Sequence, residues 1–517
     1  MTPTRTFPGV YIKETTGTAR NISGVSTSTT AFVGRAARGR SNFPHRVQSF
    51  AQYEEYFGSR TGDAGLSSDL TMPDAVDQFF RHGGNDALIV RIHDSAASAS
   101  LELAAGSGTL RLLAESPGSW GNRLRITVDH DTSEARVFNL LVEELAQGSS
   151  SDVVRRESFR DVSLVSSDSL FITEVLAKNS RLLRVDVNSS MSAARPSAIA
   201  NAMASHGSDG NAITDAQLSA ANLQSDRRGI WALDYADLFN LLYIPPLTPA
   251  TDVSDSSLTV ATLYCHRRRA VHIIDPKQSW NTAQSAEAGV SALHTAIGQP
   301  AVSNAAVYFP RLRVANPLPN SLDAEHAPGG AVAGIIARTD LSRGVWKAPA
   351  GTAASFTGVA GLTVAATHAE NGQMNKLGLN VLRSFPSRGH LIWGARTLAG
   401  GNPLSAQWKY LSVRRTALFI EESLLRGTKW VVFEPNDEPL WAQIRTSVGD
   451  FMHALFRQGA FRGNSSEQAY FVKCDRQTNS WGDIKRGIVN IELGFAPIKP
   501  AEFVIIRIQQ KAQSSGA

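Results

Sequence analysis

The chain has 517 residues, 42% hydrophobic and 19% charged, a globular composition long enough for several cores and too apolar for a disordered chain. Its 51 Lys and Arg against 46 Asp and Glu leave a net charge of +5, too dilute an excess to mark a nucleic-acid binder on charge alone. Two cysteines, Cys265 and Cys474, exclude a disulfide framework and a Cys/His metal site, and read as reduced, buried thiols.

Residues 1–25 read as an extended lead in which Val10-Tyr11-Ile12-Lys13 alternates like a strand after the turn pair Pro8-Gly9. The start lacks the apolar core of a signal peptide, and no run approaches the roughly 20 apolar residues of a membrane span. The expectation is a protein made in a reducing cytoplasm, or leaving it by a route that needs no signal. Residues 29–34 predict a buried strand, and 73–81 a helix with Ala75, Val76, Phe79 and Phe80 on one side. After Gly83-Gly84, residues 87–92 predict a second apolar strand.

Between 96 and 205 small residues and Ser dominate. Short alternating segments at 101–103, 110–113, 124–128, 137–142 and 182–187 predict a β-rich insertion, with helical periodicity only in the Ala-rich stretch 194–205. Strands at 239–244, 270–274 and 305–309 alternate with helices at 257–269 and 282–297, the mark of a largely parallel sheet covered by helices. Residues 315–405 are rich in Gly, Pro and Ala and read mostly as loops. Lys409–Leu425 predicts a long helix, and 430–433 a strand. A helix follows over 437–457, capped by Asn436, with Leu440, Trp441, Ile444, Val448, Phe451, Met452, Leu455 and Phe456 on its buried face. Strands close the chain at 470–474, 488–495 and 502–508. The fold class is α/β and α+β, multidomain.

Catalytic chemistry is hard to place on this pattern. No Gly-rich phosphate loop follows a strand, since Gly329-Gly330-Ala331-Val332-Ala333-Gly334 follows a Pro-rich loop. Asp275-Pro276 reads as a turn initiator rather than a catalytic carboxylate. The 12 histidines are scattered, with His390 and His453 reading as packing or surface residues, and there is no Gly-x-Ser-x-Gly elbow. Arg267-Arg268-Arg269 and Arg414-Arg415 lie inside predicted helices that carry apolar residues, which favours ion pairs or a subunit contact over phosphate binding.

Several segments resemble, in order, the contractile-tail sheath proteins of phages and injection systems. They begin with Phe7-Pro8-Gly9-Val10-Tyr11-Ile12-Lys13-Glu14 and the run from Ile22 to Gly34. Ser116-Pro117-Gly118-Ser119-Trp120-Gly121-Asn122 lies in the insertion. Pro328–Gly334, Arg343–Ala350, Asn375–Asn380, Trp393–Leu398, Trp408-Lys409-Tyr410 and Arg414-Arg415 follow. Phe433–Asp437 with Leu440-Trp441, Ala469–Val472 and Pro500–Val504 complete the series. The departure lies in 96–205.

The resemblance implies a structural, non-enzymatic subunit that polymerises as stacked hexameric rings or a six-start helix around an inner tail tube. Baseplate and tail terminator proteins are the further partners it implies, with no cofactor, no direct nucleic-acid contact and no membrane insertion. Assembly in the bacterial cytoplasm is implied, then residence in a virion tail or released contractile particle. A metastable extended state would contract to drive the tube through a cell envelope. Terminal arms would add strands to a neighbour's sheet, through Phe7, Val10, Tyr11 and Ile12 at one end and Phe503, Val504, Ile505, Ile506 and Ile508 at the other. The implied organisation is an arm at 1–25, an α/β core at 26–95 and 206–404, and an outward insertion at 96–205. A tube-proximal α+β domain at 405–499 and a strand and arm at 500–517 complete it. Arg445, Asp450 and Arg457 are tube-facing candidates on the 437–457 helix, against the plainer reading of a solvated face. A soluble α/β enzyme with a β-rich insertion is the competing class.

Overall fold

The computed structural model describes residues 21–58, 69–132, 134–314, 324–401 and 407–502. The chain divides into two compact units. One comprises the residues up to Val25 with Ala417–Lys499, the other Ser26–Thr416 with the residues from Pro500 on.

In the large unit an eight-stranded sheet forms the core. Its six inner strands are parallel, in the spatial order Leu379–Phe385, Ala305–Phe309, Val271–Ile274, Leu241–Tyr243, Thr30–Gly34, Ala87–Arg91. Gly389–Ile392 and His45–Val47 pair antiparallel at the two edges. Runs such as Thr-Ala-Phe-Val and Val-His-Ile-Ile are buried at every position because helices cover both faces. The connecting helices Asp255–Arg267 and Ala283–Ile297 form where their periodicity predicts, each started by a hydroxyl, Ser254 or Thr282, that accepts a backbone N–H of the first turn.

Within the 96–205 segment, two antiparallel sheets enclose a separate core that includes Leu103, Leu112, Trp120, Ile126, Phe138 and Leu140. The Ala-rich stretch predicted as helical instead contributes the strand Ile199–Met203. Its pairing with Leu124–Asp129 overrides a weak helical propensity.

A larger correction concerns 315–405. The 15-residue helix Gly329–Arg343 and the helix His368–Lys376 lie there, with the strands Leu379–Phe385 and Gly389–Ile392. Gly329–Arg343 carries no amphipathic stripe because its first nine residues are buried all round. Its glycines serve close approach to the helix Met72–Arg81. A Cβ at Gly330 would sit 2.3 Å from the Ala75 carbonyl oxygen, and one at Gly334 2.3 Å from that of Phe79.

The small unit packs the helix Glu438–Arg457 through Leu440, Trp441, Ile444, Val448, Phe451, Met452 and Leu455, as the spacing predicts, while Phe456, predicted with them, is only half-buried. Asp437, not Asn436, is its N-cap, accepting the Leu440 N–H. Asn436 is taken elsewhere: it accepts the Trp441 indole N–H at 2.9 Å and donates to the Ile488 carbonyl at 3.0 Å. The predicted strand at 430–433 is a 3₁₀ turn, Lys429–Val431, followed by Phe433 at φ 72°, a backbone state no extended strand adopts. Residues 22–25 belong to this unit. The Val25 N–H donates to Ser423 Oγ at 3.2 Å, and Gly427 leaves room for Ile22.

Candidate functional site

In open parallel sheets, ligands bind at the carboxyl ends of the strands where strand order reverses. Here that point lies between Thr30–Gly34 and Leu241–Tyr243, since the chain runs from the first to Ala87–Arg91 on one side and later resumes at Leu241 on the other. Protein fills the crevice. The N-terminus of helix Gly329–Arg343 sits on the Tyr243 ring, 2.1 Å from where a Gly329 Cβ would be. The Tyr243 hydroxyl donates to Asp275 Oδ2 at 2.5 Å, and the Gly329 N–H donates to Asp275 Oδ1 at 2.8 Å. Asp275 thus satisfies a free N–H at the positive end of the helix. Burial pushes its carboxyl up to about 6, while Tyr243, Arg311 and the Gly329 N–H pull it down.

The adjoining cavity, lined in part by Ile244, Pro246, Asp252, Asp275 and Lys277, has a volume of about 20 Å³, room for a water and not for a substrate. Among the described residues no group of three His, Cys, Asp or Glu side chains could hold a metal ion. Both cysteines are free and buried, as their number predicts, and burial pushes each thiol up.

The basic runs are used internally. Arg268 donates to the carbonyls of Leu233 and Ala236, each at 2.8 Å, and lies over the Phe239 ring. Arg415 forms a two-pronged pair with Asp340 at 2.9 and 2.6 Å, both side chains 3% exposed. Neither presents a stripe of cations to solvent.

What remains available lies in the small unit. Tyr470–Lys473 and Glu492–Phe495 form a two-stranded antiparallel sheet, and among the described residues no further strand joins either side of it. Two strands alone are marginal in water, and an outer edge offers backbone groups that a further strand can pair. Phe471 and Trp481 are exposed, and Phe433 fully so; their exposure is not legible in an apolar pattern, which predicts burial.

Of the tube-facing candidates, Asp450 and Arg457 are exposed and, seven residues apart, lie on one face of their helix. Arg445 is turned about 140° from Asp450 at 100° per residue. Its guanidinium donates to Glu438 Oε1 at 2.6 Å and to the Cys474 carbonyl, which ties the helix to the loop after Lys473. The arm residues Phe7, Val10, Tyr11, Ile12, Phe503, Val504, Ile505, Ile506 and Ile508 lie outside the described residues. Glu502 is bound through its side chain by Arg396, Lys409 and Tyr410; the strand expected over 502–508 lies, from 503 on, outside the described residues.

Comparison with known proteins agrees with this architecture. Residues 236–398 match the family model of the phage tail sheath protein central domain, and residues 405–511 that of the phage tail sheath C-terminal domain; together they span just over half of the chain. No curated protein matches the sequence. The fold is similar to that of the sheath of an extracellular contractile injection system, PVC, in its contracted state, at 20% identity over 99% of each chain with a TM-score of 0.57. It is also similar to the contracted helical sheath of the anti-feeding prophage, at 20% identity over 98% of this chain and 100% of the other, with a TM-score of 0.55. A sheath tail protein of Listeria innocua shares the fold at 12% identity over 92% and 96%, with a TM-score of 0.60.

Proposed function

Because the chain belongs to the phage tail sheath family, a family of structural sheath subunits and not of enzymes, we propose that it polymerises around an inner tube and contracts to drive that tube through a target envelope. The two-stranded sheet of the small unit carries this reading. Its free edges are sites for β-augmentation, in which an extended arm gains backbone hydrogen bonds and the alternation of its side chains sets the register. The arms come from within the 1–25 and 500–517 ends of neighbouring subunits, contributing Val10-Tyr11-Ile12 and Phe503–Ile508.

On this reading 26–95 with 206–404 is the body and 405–499 is tube-proximal, while 96–205 points outward, where insertions are tolerated. Asp450 and Arg457 face the tube; Arg445 braces the helix that presents them. Rings or a six-start helix, with a baseplate and a terminator at the ends, complete the machine. The filled crevice at the switch point of the parallel sheet supports energy storage in subunit packing itself.

Negative-stain electron microscopy of the full chain, with inner-tube protein and beside a variant lacking residues 1–20, tests the proposal. Hollow tubes or rings from the full chain that are lost in the truncation are expected. Tubes from both would remove the N-terminal arm as the essential link, and monomers persisting in the presence of tube protein would sink the sheath reading.

A further inference from the structure

Glu502 closes the described chain, and its carboxylate is fully engaged. Arg396 Nε donates to Oε1 at 2.7 Å and Arg396 Nη2 to Oε2 at 2.6 Å. The Tyr410 hydroxyl donates to Oε2 at 3.2 Å, and Lys409 Nζ stands 3.7 Å from the same oxygen. The Arg396 side chain is 7% exposed and that of Glu502 17%. Burial pushes the Glu502 carboxyl up, yet Arg396, Lys409 and Tyr410 together hold it below its ordinary value. Two parallel N–H···O bonds to one carboxylate fix direction as well as distance, which a single surface ion pair does not.

Arg396 is itself built into the central sheet. Its backbone N–H donates to Asn380 Oδ1 at 2.7 Å, and Asn380 Nδ2 returns bonds to the Arg396 carbonyl at 2.8 Å and the Val307 carbonyl at 3.1 Å. Arg396 Nη1 donates to the Asn375 carbonyl at 2.7 Å. Asn380 and Val307 lie on adjacent parallel inner strands. An unbroken series of hydrogen bonds therefore runs from Glu502 into the parallel sheet of the large unit. Arg396 and the nearby Lys409-Tyr410 thus meet the distant Glu502 at this one carboxylate.

We propose that Glu502 is the mechanical root of the C-terminal arm. A pull by a neighbouring subunit on residues 503–517 stops at Glu502 and passes through Arg396 and Asn380 into the parallel sheet, not back along the chain into the strand Glu492–Phe495. The proposal rests on the sheath reading above. Its physical content is that an arm holding by several hydrogen bonds is useful only if its root is not the first thing to peel.

Three variants of the full chain test it: Glu502→Ala, Tyr410→Phe, and a chain ending at Glu502. Hydrogen exchange on the free subunit reads the root without assembly. Amides of 498–502 are expected to exchange about tenfold or more faster in Glu502→Ala, less so in Tyr410→Phe, and at the wild-type rate in the shortened chain. Sheaths assembled on inner-tube protein and contracted with urea read the function. Wild-type sheaths stay continuous, Glu502→Ala and the shortened chain fragment, and Tyr410→Phe falls between. If Glu502→Ala does not fold, Tyr410→Phe carries the test, because it removes one bond and strands no charge. Wild-type exchange rates in the substituted chains, or substituted sheaths that contract unbroken, would overturn the root. A wild-type chain that forms no sheath at all would overturn the sheath reading and the root's role together.

Discussion

Asp275 sits where an α/β enzyme would place a catalytic carboxylate, and its surroundings turn it to a structural use. Its two oxygens receive the Tyr243 hydroxyl and the Gly329 N–H, and the cavity beside it admits nothing larger than water. Burial raises the carboxyl from 3.8 to about 6, so the folded chain holds a proton that the unfolded chain has already released. Stability from this group is therefore complete below about pH 4 and is lost as pH rises through about 6, by at most about 3 kcal/mol. Asn copies the protonated form: its amide oxygen accepts from Gly329, and its nitrogen donates to a Tyr243 hydroxyl turned acceptor. Asp275→Asn is expected to melt above wild type at pH 7.5, with most of that advantage gone at pH 4.5. Equal destabilisation at both pH values would mean that the carboxylate's hydrogen bonds, and not the burial of its charge, govern the site.

At the level of elements, amphipathic helices and short apolar strands were predicted well, and a helix buried on all sides was not. Leu440, Trp441, Ile444, Val448 and Phe451 recur at helical spacing on a half-buried helix, so the sequence and the structure agree there. Gly329-Gly330-Ala331-Val332-Ala333-Gly334 has poor helical propensity and no polar face, yet it is the start of a 15-residue helix, because tertiary packing decides it. The meeting of Arg396 with Glu502 had no local signal at all, since 106 residues separate them. Motif order pointed to the family, while the fit of the parts became visible only in three dimensions.

Glycines expose the difference between the two helices through one substitution with opposite expected signs. Gly330→Ala puts a methyl 2.3 Å from the Ala75 oxygen, forces two packed helices apart and should destabilise by about 1–3 kcal/mol. Gly449→Ala, in Glu438–Arg457, meets nothing within 4 Å and should stabilise by about 0.5–1 kcal/mol through helix propensity. Urea unfolding of the isolated subunit checks both. A stabilised Gly330→Ala would show that the helices do not pack as closely as described.

For the whole molecule, the 96–205 segment is built as a separable module. Its core is distinct from that of the parallel sheet, and its two connections run side by side, paired at Asp94 with Asn211, Ala97 with Ser208 and Ser100 with Ser205. Ser95 and Gly210 both have positive φ, 55° and 72°. Deleting 96–209 joins them as the two central residues of a hairpin turn between Asp94 and Asn211, a turn type that requires positive φ at both. The cut removes several polar ties, among them the Gly39 N–H to Ser116 Oγ and the bonds of Arg155 and Arg181 to Glu55. Arg91 keeps the carbonyls of Ala36, Ala37 and Gly39 and loses that of Pro117. Arg38 loses Glu144 and gains water in its place. The shortened chain is expected to fold, at a loss of about 2–7 kcal/mol for its lost hydrogen bonds, and to form tubes of smaller outer diameter on inner-tube protein. Calorimetry and electron microscopy separate the outcomes. An unfolded product would make the insertion part of the folding core, whereas a folded product that cannot assemble would move it from the outer surface of the sheath to a contact between subunits.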